Sequence, residues 1–366
     1  MKKDYYFVHL LNDYSGSPRV LADLISSLDT EDRKTIITSQ HNGFLRKNGL
    51  TKQVIIPYHN STNKFLTLFL FCTAQLFTFI TLSTLLLYGR YKGRQQVVIS
   101  NTLLPFGANI SSKLFAHRLF CYVHETSVSP KYLGLFLTQV VKYCADELVF
   151  VSHYVRDFHA GWSRGMRSHV VYNCVPTGFS KPSMPSESFL HTKFVSQSIL
   201  FVGSLKLYKG IDSFIALAET LPEYNFTAVL NANLIDYEEF VALHSGIPNI
   251  TFLYRPKDLP GIYDKHSVLL NLSKPKQWTE TFGLTLIEAM ACATPVIAPN
   301  KGGPLEVVEN QSGYTVDVTD LDILRTQIKD LLNSELLWME VAKNAYNQSK
   351  KFTKVKYTRQ IVSIFS

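Results

Sequence analysis

Between Arg33 and His124, a stretch of 92 residues, the sequence contains no Asp or Glu, while it carries eleven Lys and Arg. At the chain-wide frequency of 29 acids in 366 residues, about seven would be expected there. Charge of either sign is scarce at 18%, against 46% hydrophobic residues; this excludes a disordered chain and provides core for about two or three domains. Cysteine is scarce too. Cys72, Cys121, Cys144, Cys174 and Cys292 are odd in number and lack CxxC or Cys/His spacing, so neither a disulfide framework nor a zinc site is implied and reduced cytosolic thiols are expected. Mean hydropathy of +0.03 falls short of a polytopic membrane protein, although 13% aromatic residues leave room for one lipid-facing surface. The apolar run Tyr5 to Leu11 is short, follows Asp4 and stops at Asn12 and Asp13; it reads as a first strand and not as a signal peptide.

What charge there is divides unevenly. Residues 1–180 carry 19 basic and 10 acidic side chains and residues 181–366 carry 18 and 19, so the net +8 belongs to the first half. Within it, Phe65 to Tyr88 is uncharged for 24 residues, bounded by Lys64 and by Arg90, Lys92 and Arg94. That length permits a membrane span. Thr67, Thr73, Gln75, Thr78, Thr81, Ser83 and Thr84 dilute its apolar character, and a span would separate segments that one domain needs together. A helix lying in the membrane interface is preferred, with a buried core helix as the plain alternative.

Short apolar runs alternate with amphipathic segments: Tyr5 to Leu11, Thr35 to Thr38, Gln53 to Ile56, Val97 to Ser100, Leu119 to Val123, Glu147 to Val151 and His169 to Tyr172. The alternation predicts an α/β fold with a doubly wound parallel sheet. Pro176 to Gln197, rich in Pro, Ser and Lys, reads as a linker. The pattern then resumes with Ser198 to Val202, Phe226 to Leu230, Ile250 to Leu253, Ser267 to Leu272 and Thr294 to Ala298. The expected domains are 1–175 and 198–352, with 176–197 between them. A last helix, 353–366, is expected to pack back on the first domain. Ligands of such sheets bind at the carboxyl ends of strands, in a cleft between the two.

The densest local signal is Glu280-Thr-Phe-Gly-Leu-Thr-Leu-Ile-Glu288, followed by Thr294-Pro-Val-Ile and Gly302-Gly303. Gly283 allows close backbone approach. Backbone N–H groups of Thr281, Phe282, Gly283 and Leu284 at a helix N-terminus suit a diphosphate, and Glu288 could accept hydrogen bonds from ribose. The E-x7-E spacing alone also fits a solvated helix face. A second element, Phe201-Val-Gly-Ser204-Leu-Lys206-Leu-Tyr-Lys209-Gly210, ends a strand with Lys209 where a phosphate would lie.

Together with Asp258-Leu-Pro-Gly-Ile-Tyr263, these elements resemble the family 4 retaining glycosyltransferases, within the glycosyl transferases group 1 type found in bacterial surface polysaccharide assembly. The resemblance implies the GT-B fold, two Rossmann-like domains facing a cleft, with 1–175 facing acceptor and membrane and 198–352 binding a nucleotide sugar. The first half resembles the family more loosely, through Ser15-Gly16-Ser17, Tyr122-Val-His124-Glu125, Val149-Phe-Val-Ser152 and Val171-Tyr-Asn173. By the family's pattern Gly16 leaves room for the donor diphosphate and His124 reaches the donor sugar or phosphate; a structural histidine at a strand end is the alternative. Glu125 could equally start a helix. Ser204 stands where many members have Arg, which leaves the phosphate to Lys209 and Lys206, and Ala293 stands where Gly is common.

The resemblance further implies transfer of a sugar from a nucleotide-sugar donor with retention, no metal and no other cofactor. Glu280, Lys209 and His124 would be the catalytic set. Gly16, Ser204, Lys206, Thr281, Phe282, Gly283, Leu284 and Glu288 would bind the donor. The preferred acceptor is a lipid-linked saccharide in O-antigen- or capsule-like biosynthesis, with the protein peripheral on the cytoplasmic membrane surface. The alternatives are an integral membrane protein anchored by residues 65–88 and a sugar-binding relative without catalysis. Nucleic acid is not an expected partner: pI is about 9.0, yet no binding motif accompanies it.

Overall fold

The computed structural model describes residues 3–45, 51–59, 61, 63–181 and 183–365. The chain divides into two compact units, Met1–Tyr172 with Tyr357–Ser366, and Asn173–Lys356. In the first, the strands in chain order are β1 Lys3–Val8, β2 Arg33–Ser39, β3 Thr51–Ile56, β4 Gln95–Asn101, β5 Arg118–Val123, β6 Glu147–Phe150 and β7 Arg167–Val170. All pair in parallel, in the spatial order β3-β2-β1-β4-β5-β6-β7. Leu119–Val123 and Leu148–Phe150 are buried on both faces, which is why these strands read as unbroken apolar runs. The winding direction reverses between β1 and β4, the place where open parallel sheets bind ligands beyond their strand ends. Val8 lies opposite Ser100 in that pair, so the next residues, His9 and Asn101, meet at the switch point.

The uncharged segment forms one helix, Lys64–Tyr91, started by Asn63, whose side chain accepts from the N–H groups of Phe65 and Leu66. By length and composition it passes for a membrane span. However, it is the crossover from β3 to β4, and both strands belong to one sheet, so a bilayer cannot lie between its ends. The helix packs along Phe106–Phe115: Gly107 N–H donates to Gln75 Oε1 at 2.9 Å, and the hydroxyls of Ser83 and Ser111 are 2.9 Å apart. A Cβ on Gly107 would stand 2.1 Å from the Gln75 carbonyl oxygen. Several of the polar residues that diluted the segment therefore face inward. Gln75 and Thr78 are buried with Phe71, Ala74, Leu82 and Leu86, whereas Phe65 is 87%, Phe69 63% and Leu76 60% exposed.

From Tyr357 onward the final helix, Lys354–Phe365, belongs to this unit. Phe365 sets its ring 4.5 Å from Phe120 and its carbonyl accepts from Tyr5 Oη at 3.1 Å.

The second unit holds β8 Ser198–Gly203, β9 Asn225–Leu230, β10 Ile250–Tyr254, β11 Val268–Leu270, β12 Val296–Pro299 and β13 Gly313–Val316, all parallel in the order β10-β9-β8-β11-β12-β13. Its switch point lies between β8 and β11. Residues 176–197, expected as a linker, are part of this unit: they include the helix Glu187–Val195, Leu190 is fully buried in the core, and Lys193 Nζ donates to the Cys292 carbonyl at 2.7 Å. The Pro and Ser residues mark turns around that helix, and the boundary falls at Asn173.

Candidate functional site

At the β8/β11 switch of the second unit, β8 runs through Ser204 into a tight turn, Leu207–Lys209, closed by Gly210 at φ +83°. A Cβ there would lie 2.2 Å from the Leu272 carbonyl oxygen, so only glycine lets the turn sit against the end of β11. The turn and the loop after β11 are tied together: Lys274 N–H donates to the Tyr208 carbonyl at 2.8 Å, and the rings of Tyr208 and Trp278 stack at 5.4 Å. This aims Lys209 across the switch point, where its Nζ donates to Glu280 Oε2 at 2.8 Å. Ser273 Oγ donates to the same oxygen at 3.2 Å. Burial alone would raise the Glu280 pKa, but the Lys209 ammonium, with Ser273 and Asn271, outweighs it and holds the carboxyl below its usual range. Glu280 is therefore a charged acceptor at neutral pH.

Gly283, at φ +101°, starts the helix Leu284–Ala291, and the first N–H groups of a helix have no intrahelical partner. Thr281, Phe282, Gly283 and Leu284 are thus consecutive at a positive helix end, directly after the Glu280 carboxylate. The glycine pair explains how this loop is held. Gly303 N–H donates to the Glu280 carbonyl at 2.9 Å; a Cβ on Gly302 would meet that carbonyl oxygen at 2.4 Å and one on Gly303 the Thr281 oxygen at 2.2 Å. Glu288 is 1% exposed and its Oε2 accepts from Tyr263 Oη at 2.9 Å, which removes the reading of E-x7-E as a solvated face. Tyr263 sits in the short helix Leu259–Lys265, begun by Asp258, whose carboxylate accepts from Gly261 N–H at 3.0 Å. Lys206 is exposed beside the turn and makes no ion pair among the described residues. Ala293 has φ +51°, the left-handed conformation for which glycine is the usual residue.

The sequence contains an Asp-x-Asp pair, Asp320-Leu-Asp322. It begins the helix Leu321–Leu332: the Asp320 side chain accepts from the N–H groups of Asp322 and Ile323, and Asp322 pairs with Arg325 one turn on.

In the first unit, Gly16 opens the helix Gly16–Ser27 and is exposed. His124, just past β5, is half-buried, stacks on Tyr122 at 4.9 Å and places Nε2 2.8 Å from Asn101 Oδ1. Burial, reinforced by His9, pushes its pKa down to about 3. A neutral imidazole cannot serve as a cation for phosphate, although it can hydrogen-bond a hydroxyl. Glu125 does not start a helix; its carboxyl accepts from the His124 N–H at 3.2 Å and burial raises its pKa to about 7. The structure thus unites Glu280, Lys209, Gly283 and the Thr281–Leu284 backbone in one unit, and Gly16 and His124 in the other. Asn271, Ser273 and Asn101 were missed by sequence reading, because single polar residues at strand ends carry no local signal; Tyr263 was read only as the end of the Asp258–Tyr263 motif, without its bond to Glu288.

Residues 193–351 match the model described as glycosyl transferases group 1. The chain is 25% identical over 271 residues to an uncharacterized glycosyltransferase of Methanocaldococcus jannaschii, covering 73% of this chain and 71% of that protein. Other curated relatives, D-inositol 3-phosphate glycosyltransferases of Corynebacterium among them, align over less than half of their own length. Among solved structures, HepE of Anabaena in complex with UDP-glucose superposes with a TM-score of 0.77 at 18% identity, covering 99% of both chains. WaaG, described as a glycosyltransferase involved in lipopolysaccharide biosynthesis, gives 0.72 at 13% identity over 99% of both. These two likenesses establish the fold.

Proposed function

We propose that the chain, whose residues 193–351 match the glycosyl transferases group 1 model and whose two parallel-sheet units share the GT-B fold of its structural neighbours, is a family 4 retaining glycosyltransferase. It moves a sugar from a nucleotide-sugar donor to a lipid-linked saccharide, without a required metal. The observation that carries the reading is the Lys209–Glu280 pair at 2.8 Å, set at a sheet switch point directly before a helix N-terminus. One structural neighbour binds UDP-glucose, which supports a nucleoside diphosphate in that place.

An ammonium has three donors, so Lys209 can keep its bond to Glu280 and give another to a diphosphate oxygen. As the bond from the anomeric carbon to the diphosphate breaks, charge grows on the leaving oxygen. Lys209 and the N–H groups of Thr281 to Leu284 stabilise it there. Glu280 accepts from donor sugar hydroxyls and fixes the sugar's orientation. It is not assigned as a nucleophile: its charge is engaged by Lys209, and Glu288, which would complete a carboxylate pair, is buried against Tyr263. The incoming acceptor hydroxyl loses its proton to the departing diphosphate, which balances the exchange. Glu288 is proposed as the acceptor of ribose hydroxyls.

The acceptor side rests on the outward face of helix Lys64–Tyr91, where Phe65, Phe69, Leu76, Phe77 and Ile80 are exposed, within the acid-free basic segment. Apolar insertion with Lys and Arg over an anionic surface favours the cytoplasmic membrane face, where a lipid-linked saccharide would be met. WaaG, described as involved in lipopolysaccharide biosynthesis, supports a surface-saccharide acceptor. A nucleotide-sugar panel with extracted lipid-linked acceptor tests the reading: turnover of one donor that is lost in Glu280→Gln supports it, and no transfer from any donor contradicts it.

A further inference from the structure

Asn101 ends β4 at the switch point of the first unit and is wholly buried. Its side-chain amide touches three elements. Nδ2 lies 3.1 Å from the Ser17 carbonyl oxygen, in the first turn of the helix Gly16–Ser27, and 3.0 Å from His9 Nδ1 at the end of β1; Oδ1 lies 2.8 Å from His124 Nε2 beyond β5. A backbone carbonyl can only accept, so the amide nitrogen has to face Ser17. Oδ1, which also only accepts, then faces His124 Nε2, and that nitrogen must carry the proton. A neutral imidazole has one N–H, so His124 Nδ1 holds a lone pair, and among the described residues no hydrogen-bond partner occupies it.

The surroundings keep the ring uncharged. His9 faces it from β1 and is itself held neutral by burial; Asp13 acts on His9 from the loop after β1. Tyr122 stacks on the ring from β5, and Glu125 follows it on the same loop. The residue after Asn101 is also under constraint: Thr102, a β-branched residue, has φ +79° while its N–H donates to the Tyr122 carbonyl at 2.8 Å. Such backbone strain persists where the surrounding structure over-determines it and clusters at functional sites.

We propose that Asn101 is a positioning residue: its amide, oriented by the Ser17 carbonyl, locks His124 in the Nε2–H form, so that His124 offers an unprotonated Nδ1 to a sugar hydroxyl. The hydroxyl ligand rests on the sugar-transfer reading; the ring form does not.

Nitrogen NMR of protein labelled with 15N-histidine, with the His124 signals assigned by His124→Gln, reads the ring form directly. The expected result is the neutral Nε2–H tautomer from about pH 6 to 8. The Nδ1–H tautomer, or an imidazolium in that range, overturns the proposal. In Asn101→Asp, a carboxylate facing Nε2–H favours the imidazolium. The ratio of variant to wild-type transfer rate is then expected to fall roughly tenfold per pH unit below the new His124 pKa, once the ring must be neutral to accept. Taking the ratio cancels any titration of Glu125 common to both proteins. A ratio flat from about pH 5 to 8 overturns the proposal. Where Asn101→Asp fails to fold, the wild-type spectrum decides alone. Where no donor is turned over, the sugar-transfer reading fails while the spectrum still decides the ring form.

Discussion

Lys209 and Glu280 stand 71 positions apart in the sequence and 2.8 Å apart in the structure, and this pair sets the chemistry proposed for the C-terminal unit. Lys209→Ala removes charge from the leaving diphosphate and is expected to lower turnover by about 10²–10³, read as kcat at saturating donor; an unchanged kcat sinks that role. Glu288→Gln is expected to raise the donor KM while leaving kcat nearer wild type. Gln is preferred to Ala because a missing acceptor would strand the buried Tyr263 hydroxyl at about 1–3 kcal/mol. A denaturation midpoint near wild type with an unchanged KM would contradict the ribose assignment. Both glutamates and the lysine were legible in the sequence, as a loop-helix motif and a strand-end turn. Their pairing was not, because which strand ends share a switch point depends on sheet order. Asn271, Ser273 and Asn101 act through that order alone.

At the scale of elements, alternating apolar runs disclosed nearly all the strands, because parallel strands buried on both faces stay apolar without interruption. Gly313–Val316 escaped, being a four-residue edge strand that begins with glycine and is half-exposed throughout. The helix Lys64–Tyr91 was legible as a helix but not in its orientation: Gln75 turns inward to bond the Gly107 backbone, leaving phenylalanines outside. The helix Glu187–Val195 was hidden by its Pro- and Ser-rich flanks, and it carries a buried amine. Lys193, between the Cys292 carbonyl and Thr294 Oγ1, has its pKa pushed down to about 8 by burial. The unfolded chain therefore binds the extra proton between about pH 8 and 10.5, and this group's contribution makes folding stability rise with pH across that window. Urea midpoints for wild type and Lys193→Met across it should diverge in slope, with the rise absent in the variant; parallel slopes would contradict the account. Gly303→Ala drives a methyl into the Thr281 carbonyl and is expected to cost about 1–3 kcal/mol and to weaken donor binding, measured by the denaturation midpoint and donor KM. A variant unchanged in both would show that the loop does not depend on close approach.

At the scale of the whole molecule, the absence of acids between Arg33 and His124 coincides with the unit bearing the exposed apolar helix face, while the near-neutral half carries the Lys209–Glu280 pair. The double variant Phe69→Ser, Phe77→Ser is expected to lose sedimentation with anionic vesicles, and wild-type binding should weaken as salt screens the basic residues. Unchanged co-sedimentation of the variant would leave the helix face without a membrane role. The central claim is sugar transfer from a nucleotide-sugar donor, with the donor's anomeric configuration kept, by a site built on Lys209 and Glu280. Proton NMR of the first-formed product, with the donor identified from a nucleotide-sugar panel, tests it most directly. The account predicts a glycoside of the same anomeric configuration as the donor, formed by the wild type and not by Glu280→Gln; an inverted anomer, or equal product from the variant, would contradict it.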